Sequence, residues 1–275
     1  MDCCADTWVM SSTNVFSPPE QVLGNPIPAP GSSRGPAAIE FHEVSRVYGK
    51  QSTGVTALDN VSVAFAAGSF TAVMGPSGSG KSTFLHCAGG LEQPTSGRVV
   101  VAGHDITDAS EGELTKLRRA DVGFVFQNFN LIASLSAERN VAMPLRLAGR
   151  KPSRREVKQA LTQVGLRDRL RHRPRELSGG EQQRVAIARA MVTKPMVLLA
   201  DEPTGALDSK AARIVLDMLR AMVDERGQTI VMVTHDPMAA ARADEVLFLS
   251  DGRIVDRLAQ PSARAVADRL TRLED

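Results

Sequence analysis

Two short segments of the chain alternate between apolar and polar or small side chains. Residues 39–41 read Ile-Glu-Phe, and residues 61–65 read Val-Ser-Val-Ala-Phe. A period of two predicts β-strands that bury one face against a core. Strands of this kind suit an antiparallel sheet, and we expect them to form a β flap beside the main fold.

Apolar runs and helical patterns alternate through much of the remaining chain. Short apolar runs predict buried strands, and longer segments with a helical period predict helices. The predicted strands are 70–74, 99–101, 122–126, 196–200, 229–234 and 245–249, and the predicted helices are 81–88, 181–193, 210–225 and 237–242. This alternation predicts an α/β fold with a mainly parallel sheet covered by helices.

Between about residues 128 and 176 the strand-like runs stop. Helical patterns rich in Arg and Lys replace them and are interrupted by prolines. We interpret this segment as a helical subdomain. A shorter helical pattern follows Ser262, where Val266, Leu270 and Leu273 share one stripe.

The first 37 residues differ from the rest in composition. Six prolines lie there among Ser, Gly and Asn. Such a segment buries too little apolar surface to offset its ordering entropy, so a disordered tail is predicted over 1–37. The sequence leaves open whether Met10 is the true start. The main domain is predicted over 38–257, and a short helical tail over 258–275.

Charge and cysteine content narrow the functional classes. The net charge is 33 − 31 = +2, which argues against nucleic acid as the main partner. The alternating arginines of 167–175 allow a basic surface, although a solvated face is the favoured interpretation. Cys3, Cys4 and Cys87 are too few for a disulfide framework and are typical of a reducing compartment.

No segment approaches the roughly 18 to 20 apolar residues that span a bilayer. The first residues also lack the basic and apolar regions of a signal peptide. We therefore predict a cytoplasmic protein in which Cys3 and Cys4 are not lipoprotein cysteines. Any membrane-spanning part is expected to belong to another chain.

The strongest motif lies between the predicted strand 70–74 and the predicted helix 81–88. It consists of Gly75, Pro76, Ser77, Gly78, Ser79, Gly80, Lys81, Ser82 and Thr83. This is the complete P-loop pattern, in which the glycines let backbone N–H groups point at phosphate and the helix adds its positive end. Lys81 can reach the β and γ phosphates, and the Ser82 hydroxyl can ligate Mg²⁺.

An acidic pair ends the predicted strand 196–200. Asp201 and Glu202 are thereby placed at the carboxyl edge of the sheet, where α/β proteins bind ligands. We expect Asp201 to hold Mg²⁺, directly or through water, and Glu202 to act as general base on the attacking water. Alone, such a pair could simply begin a loop, but after a P-loop the functional interpretation is favoured.

A second candidate phosphate-binding segment precedes the predicted helix 181–193. Ser178 and Glu181 have the spacing of a capping box, so a helix should begin here. Gly179 and Gly180 leave backbone N–H groups free at its positive end. One nucleotide needs only one such cradle, unless two chains share it.

Together these motifs resemble those of the ATP-binding-cassette (ABC) ATPases, over about residues 39–257. Residues 177–182, Leu-Ser-Gly-Gly-Glu-Gln, resemble the signature motif of that family, which implies that Ser178, Gly179, Gly180 and Glu181 bind nucleotide. The resemblance implies that Gln127 senses Mg²⁺ and contacts the membrane partner, and that His235 contacts the γ-phosphate. It further implies that Tyr48 stacks on adenine. Asp208 is expected to lie in the loop that follows the acidic pair and to contact nucleotide.

The resemblance also implies cofactors and partners. ATP and Mg²⁺ are expected to be bound between two copies of the chain, with catalytic roles for Glu202, His235, Gln127 and Lys81. A separate transmembrane permease is expected to hold the dimer at the cytoplasmic face of the membrane. Residues 138–141, Glu-Arg-Asn-Val, depart from the more usual Leu-Glu-Asn-Val, which leaves the identity of that partner in question.

Several motif sequences look most like the subfamily of lipoprotein release, macrolide-type export and the related cell-division complex. An exporter or extractor is favoured. A mechanical role with no transported substrate shares the same motifs and stays open. A soluble cassette acting on ribosomes or DNA usually carries two cassettes or a long coiled-coil insertion, and neither is visible in this sequence.

Overall fold

The computed structural model describes residues 37–49 and 54–274. The predicted disordered tail lies outside these residues, except for Ala37, which begins the first strand. The strands are β1 (Ala37–Tyr48), β2 (Val55–Ala66), β3 (Phe70–Met74), β4 (Ser96–Val101), β5 (His104–Asp105), β6 (Val122–Phe126), β7 (Val197–Asp201), β8 (Thr229–Val233), β9 (Glu245–Ser250) and β10 (Arg253–Ala259). The helices are α1 (Lys81–Ala88), α2 (Glu111–Ala120), α3 (Ala137–Leu147), α4 (Arg154–Gln163), α5 (Gly179–Met191), α6 (Ser209–Arg226), α7 (Pro237–Ala240) and α8 (Ala263–Glu274).

Two sheets carry the fold, and both were expected from the sequence. The first is antiparallel, in the order β2-β1-β4-β5, and corresponds to the predicted flap. The second has the order β10-β9-β3-β8-β7-β6. Its strands from β9 to β6 are mutually parallel, and only β10 pairs antiparallel. The α/β class is therefore confirmed.

The central strands are apolar on both faces because each face covers a different core. Alternate residues such as Ala72 and Val73 of β3 belong to opposite clusters. One cluster joins the sheet to α3, α4, α5, α6, α7 and α8. The other joins it to the flap and to α1 and α2. A sheet buried on both faces explains why these strands read as continuous apolar runs.

The segment 128–176 contains α3, α4 and a short 3₁₀ turn at Pro174–Glu176, and no strand. Asn140 is buried inside this lobe and ties it to the chain before α3. Its side-chain oxygen accepts from the Ile132 N–H at 2.8 Å, and its amide lies 3.1–3.2 Å from the carbonyl oxygens of Ile132, Leu135 and Ser136. The part of the loop just before α3, residues 132–136, is therefore held by one buried amide.

Three elements were not predicted from the sequence. These are α2, the two-residue strand β5 and the edge strand β10. Because β10 runs to Ala259, the predicted boundary between residues 257 and 258 falls inside a strand. The predicted apolar stripe of the tail is present: Val266 of α8 is buried, and Leu270 and Leu273 pack against the same core.

Candidate functional site

Four adjacent strands of the parallel sheet end at one edge and deliver most of the predicted site residues there. β3 leads into the glycine-rich loop, β8 into His235, β7 into Asp201 and Glu202, and β6 into Gln127. Their order in the sheet is β3-β8-β7-β6. Residues far apart in the chain thus share the carboxyl edge, where α/β folds bind ligands.

Close backbone approach explains two glycines of the loop 75–83. A Cβ atom on Gly75 would lie 1.9 Å from the carbonyl oxygen of Leu249, and one on Gly80 would lie 2.1 Å from that of Ala57. Gly80 also has φ +100° at the start of α1. No other residue fits these positions, so the loop stays tight and Ser82 is exposed on the first turn of the helix.

Lys81 lies half-buried and folded over this loop. Its Nζ donates hydrogen bonds to the carbonyl oxygens of Gly75 at 2.9 Å and Pro76 at 2.6 Å. Burial lowers the pKa of the Lys81 ammonium, against the opposing attraction of Glu202 and Asp201. The cation predicted to reach phosphate therefore lies within electrostatic range of both acids.

Glu202 and His235 form a direct pair. The His235 Nδ1 atom lies 3.0 Å from the Glu202 Oε1 atom. The Glu202 backbone has φ +44°, an uncommon conformation for a side-chain-bearing residue, and its N–H donates to the Val233 carbonyl at 2.9 Å. The main chain of β8 therefore fixes the Glu202 backbone, and His235 holds its carboxylate.

Asp201, the last residue of β7, is partly buried. Burial raises the pKa of its carboxyl group and Glu202 adds to that, while His86 and Lys81 act in the opposite direction. The two carboxylates thus have different environments on adjacent residues. Asp201 is a partly buried acid near a cation, whereas Glu202 is an acid paired to a histidine, so the two carboxylates suit different tasks.

Gln127 reaches the same place from β6. A Cβ on Gly205 would fall 2.7 Å from the Gln127 Nε2 atom and 3.2 Å from the Glu202 Oε2 atom. The side chains of Gln127 and Glu202 therefore both lie next to Gly205, and a larger residue there would displace the Gln127 amide.

The donor set at this edge fits Mg²⁺ bound with phosphate. Ser82, Gln127 and Asp201 offer hydroxyl, amide and carboxylate oxygens, which are the hard ligands that Mg²⁺ prefers. In residues 37–49 and 54–274, no group of three or more His, Cys, Asp or Glu residues could hold a metal ion. A donor set with one carboxylate, such as that of Ser82, Gln127 and Asp201, is typical of a Mg²⁺ site in which substrate phosphates complete the coordination.

Tyr48 lies beside α1 and is held from two sides. Its hydroxyl is 3.2 Å from the Thr83 Oγ1 atom and donates to the Glu92 carboxylate. The Arg46 guanidinium lies 4.7 Å from the ring centroid. Tyr48 is 38% exposed, so surface remains for a stacked base next to the glycine-rich loop.

Arg46 and Glu92 were missed from the sequence. Glu92 contacts Tyr48, Arg46 at 3.4 Å and His86 at 3.4 Å. Burial alone would raise the pKa of Glu92, but hydrogen bonds from Tyr48 and His86 outweigh it and hold that pKa below its usual value. Arg46 could have been predicted, because it lies two residues before Tyr48 and residues two apart share one face of a strand. No sequence pattern marked Glu92.

The second predicted cradle, Ser178–Gly180, begins α5 as expected. Ser178 Oγ accepts from the Glu181 N–H at 3.3 Å, and the Glu181 carboxylate accepts from the Ser178 N–H at 2.8 Å, so the capping box is present. The N–H groups of Gly179 and Gly180 have no acceptor among the residues that the structure describes.

Two residues predicted to bind nucleotide are engaged in helix caps. Asp208 caps α6 by accepting from the N–H groups of Lys210 at 3.0 Å and Ala211 at 2.9 Å. The Glu181 carboxylate caps α5 and also accepts from Arg169 Nε at 2.9 Å. The hydrogen bond from the Ser178 N–H holds the pKa of Glu181 below its usual value, and Arg169 lowers it further. In one chain, both acids stabilise helix ends.

The structure therefore brings together the glycine-rich loop, Asp201, Glu202, His235 and Gln127. Ser178–Glu181 is not joined to the glycine-rich loop: within the described ranges no hydrogen bond or ion pair links this segment to residues 75–83. Gly179 instead packs near Leu207 and Phe129, with a Cβ there 3.6–3.7 Å from their side chains. A single chain thus presents the two predicted phosphate cradles, 75–83 and 178–180, without a hydrogen bond or ion pair between them in the described residues.

Gln183 is a further residue that the sequence did not mark. It is fully buried in α5, and its Nε2 atom donates to the Pro203 carbonyl at 2.6 Å. Pro203 follows Glu202 directly, so α5 supports the loop that carries the acidic pair.

None of the helices within residues 37–49 and 54–274 has both the length and the apolar character that crossing a membrane requires.

Comparisons with known proteins agree with this arrangement. The family model described as "ABC transporter" matches residues 58–205. The macrolide export ATP-binding/permease protein MacB of Hyphomonas neptunium is 45% identical over 232 residues, which cover 84% of this chain and 36% of MacB. The ABC transporter ATP-binding protein YvrO of Bacillus subtilis is 42% identical over 219 residues, which cover 79% of this chain and 95% of YvrO.

Among solved structures, the ATP-binding cassette MJ0796, described as a dimer in a post-hydrolysis state bound to ADP and Pi, superposes with a TM-score of 0.75. It is 39% identical, and the match covers 82% of this chain and 99% of that cassette. The chain thus spans about a third of the length of its MacB relative and nearly all of the length of YvrO.

Proposed function

The chain belongs to the ABC transporter family and is an ATP-binding ATPase cassette of the MacB type, and from this premise we propose that it drives a separate membrane permease by ATP binding and hydrolysis. YvrO, which is named an ABC transporter ATP-binding protein and matches over 95% of its own length, supports the ATP-binding role. An exporter or extractor at the cytoplasmic face of the membrane is the transport class that we propose.

The meeting of Lys81, Asp201, Glu202 and His235 at one sheet edge is the observation that carries the proposal. We assign Lys81 to the β and γ phosphates, and Glu202 to general-base removal of a proton from the attacking water. His235, held by Glu202, is assigned to the γ-phosphate. Magnesium, when bound through Ser82, Asp201 and Gln127, would neutralise charge on the phosphates.

The separation of the two anion-binding surfaces favours a dimer. The free N–H groups of Gly179 and Gly180 form the positive end of α5 but lie apart from the glycine-rich loop of the same chain. In a two-fold pair, each chain can present this end to the γ-phosphate bound by the other. ADP lacks that phosphate, so hydrolysis should weaken the dimer and move the permease.

A pair of variants tests this proposal. Glu202→Gln keeps the shape and hydrogen bonding of the side chain but cannot accept the proton, which typically lowers the rate by 10² to 10⁴-fold. We expect light scattering to find this variant monomeric without nucleotide and dimeric with ATP and Mg²⁺. Adding Gly179→Asp in the same chain should restore the monomer, because its carboxylate would face the γ-phosphate.

The structure supplies a matched control. A Cβ on Gly179 has only ordinary contacts beyond 3.5 Å, the nearest being 3.6 Å, so Gly179→Ala tests bulk without charge and should leave the dimer intact. If Glu202→Gln stays monomeric at saturating ATP, the measurement is repeated with the permease in detergent. A monomer in that sample as well would contradict the composite site.

A further inference from the structure

The helical lobe carries an open basic cleft formed by Arg154, Arg155, Lys158, Arg167 and Arg171. These side chains line a cavity of about 740 Å³ together with Asp168, Leu170 and His172. The first three come from the start of α4, and the other two from the segment that follows it. All five cations are exposed.

The positive charge of this cleft is not neutralised inside the described part of the chain. None of the five cations forms an ion pair there, and Glu156, which lies among them in sequence, pairs instead with Arg150 at 3.0 Å. Residues 146–175 contain 11 Lys and Arg and 2 Asp and Glu, a net charge of 11 − 2 = +9. The rest of the chain therefore has a net charge of 2 − 9 = −7.

Such a local excess of cations predicts an anionic ligand. No Phe, Tyr or Trp occurs in residues 146–175, so the cleft lacks the aromatic platforms on which single-stranded nucleic acids stack. Clusters of four to eight Lys and Arg next to a membrane are instead typical of contacts with anionic lipid headgroups. A chain that works on a permease lies close to such a surface.

We propose that the basic cleft binds the anionic lipid surface of the membrane beside the permease. The inference rests on the proposed function at a membrane. Contact there would orient the helical lobe towards the bilayer, and it would do so through headgroup charge without inserting a span. Each basic residue near an anionic membrane contributes about fivefold to partitioning, and salt screens the effect.

The test is flotation of the full chain with vesicles of phosphatidylcholine, alone or with about one third phosphatidylglycerol. We expect binding only to the anionic vesicles, and a decrease as salt rises. The triple variant Arg154→Glu, Lys158→Glu, Arg171→Glu should bind at least roughly tenfold more weakly. Reversing three other exposed cations that form no ion pair in the described residues, Lys116, Arg213 and Arg264, changes the net charge equally and should cost little.

Several outcomes would overturn the inference. Equal loss in both triple variants would assign binding to net charge alone. Absence of binding to anionic vesicles would also refute it, as would tight binding to duplex or single-stranded nucleic acid that the cleft variant alone abolishes. Because vesicle binding needs no nucleotide, its failure is distinct from failure of the ATP-driven dimer, and ATP hydrolysis by both triple variants should match that of the original chain.

Discussion

Replacing Asn140 by alanine should destabilise the helical lobe more than any exposed substitution nearby. Asn140 is fully buried, and its side chain accepts one hydrogen bond and lies within donor range of three carbonyl oxygens. An amide nitrogen has only two hydrogens, so about three of these four bonds count at full strength. At about 1 kcal/mol for each bond, the loss is about 3 kcal/mol.

This loss should appear in the free energy of unfolding. For a domain of this size, about 3 kcal/mol lowers the melting temperature by roughly 6 to 12 °C. Circular dichroism during heating and urea titration measure the two quantities. Arg139→Ala is the matched control, because Arg139 is the preceding residue of α3 and is exposed, and it should stay within about 0.5 kcal/mol of the original chain.

A second substitution at the same position separates hydrogen bonding from packing. Asn140→Asp keeps an acceptor for the Ile132 N–H, but it turns an acceptor towards three carbonyl oxygens. Burial should raise the pKa of this carboxyl group in the folded state, so the variant should gain stability as pH falls. An alanine variant within about 1 kcal/mol of the original, or an aspartate variant insensitive to pH, would refute this account.

Three further predictions concern the site and its surroundings. Lys81→Ala should remove most nucleotide affinity and nearly all turnover, and hydrolysis within a few-fold of the original would contradict the assignment of the loop 75–83. Tyr48→Ala should weaken ATP binding, measured by calorimetry, roughly ten- to a hundredfold because stacking is lost, whereas Tyr48→Trp should be nearly silent. Binding of inorganic triphosphate should be unchanged in both variants. Equal weakening of ATP binding by both substitutions would instead indicate that Tyr48 has a packing role. Burial, reinforced by Glu92 and opposed by Arg46, raises the pKa of the Cys87 thiol from 9.0 to about 12. Between pH 9 and 12 the folded chain therefore keeps a proton that the unfolded chain loses, so the free energy of unfolding should fall as pH rises. This fall should be less steep in Cys87→Ala.

Local sequence determined the parts of this protein that depend on neighbours in the chain. The loop 75–83 needs glycines, a lysine and a helix start within nine residues, and its pattern was complete in the sequence. The capping box of Ser178 and Glu181 depends on a spacing of three. The parallel strands were predictable because burial on both faces leaves continuous apolar runs.

Elements with little burial escaped prediction for the same reason. Strand β10 has no fully buried apolar residue, and α2 buries only Leu114 and Leu117. Their hydrophobic pattern is therefore weak, and pairing with β9 or packing beneath the flap decides their structure. In these segments the hydrophobic periodicity is too weak to predict a strand or a helix from the sequence.

Only the tertiary structure decided which side chains meet. The order of strands in the sheet places Glu202 against His235 and Gln127 over Gly205, although these residues are far apart in the chain. The packing of the flap against α1 and the loop after it also brings Tyr48 to Glu92, which no sequence pattern marked. The physical reason is that strand order and loop closure are non-local: they depend on how whole faces of the sheet are buried, and a motif of a few residues carries no information about that choice.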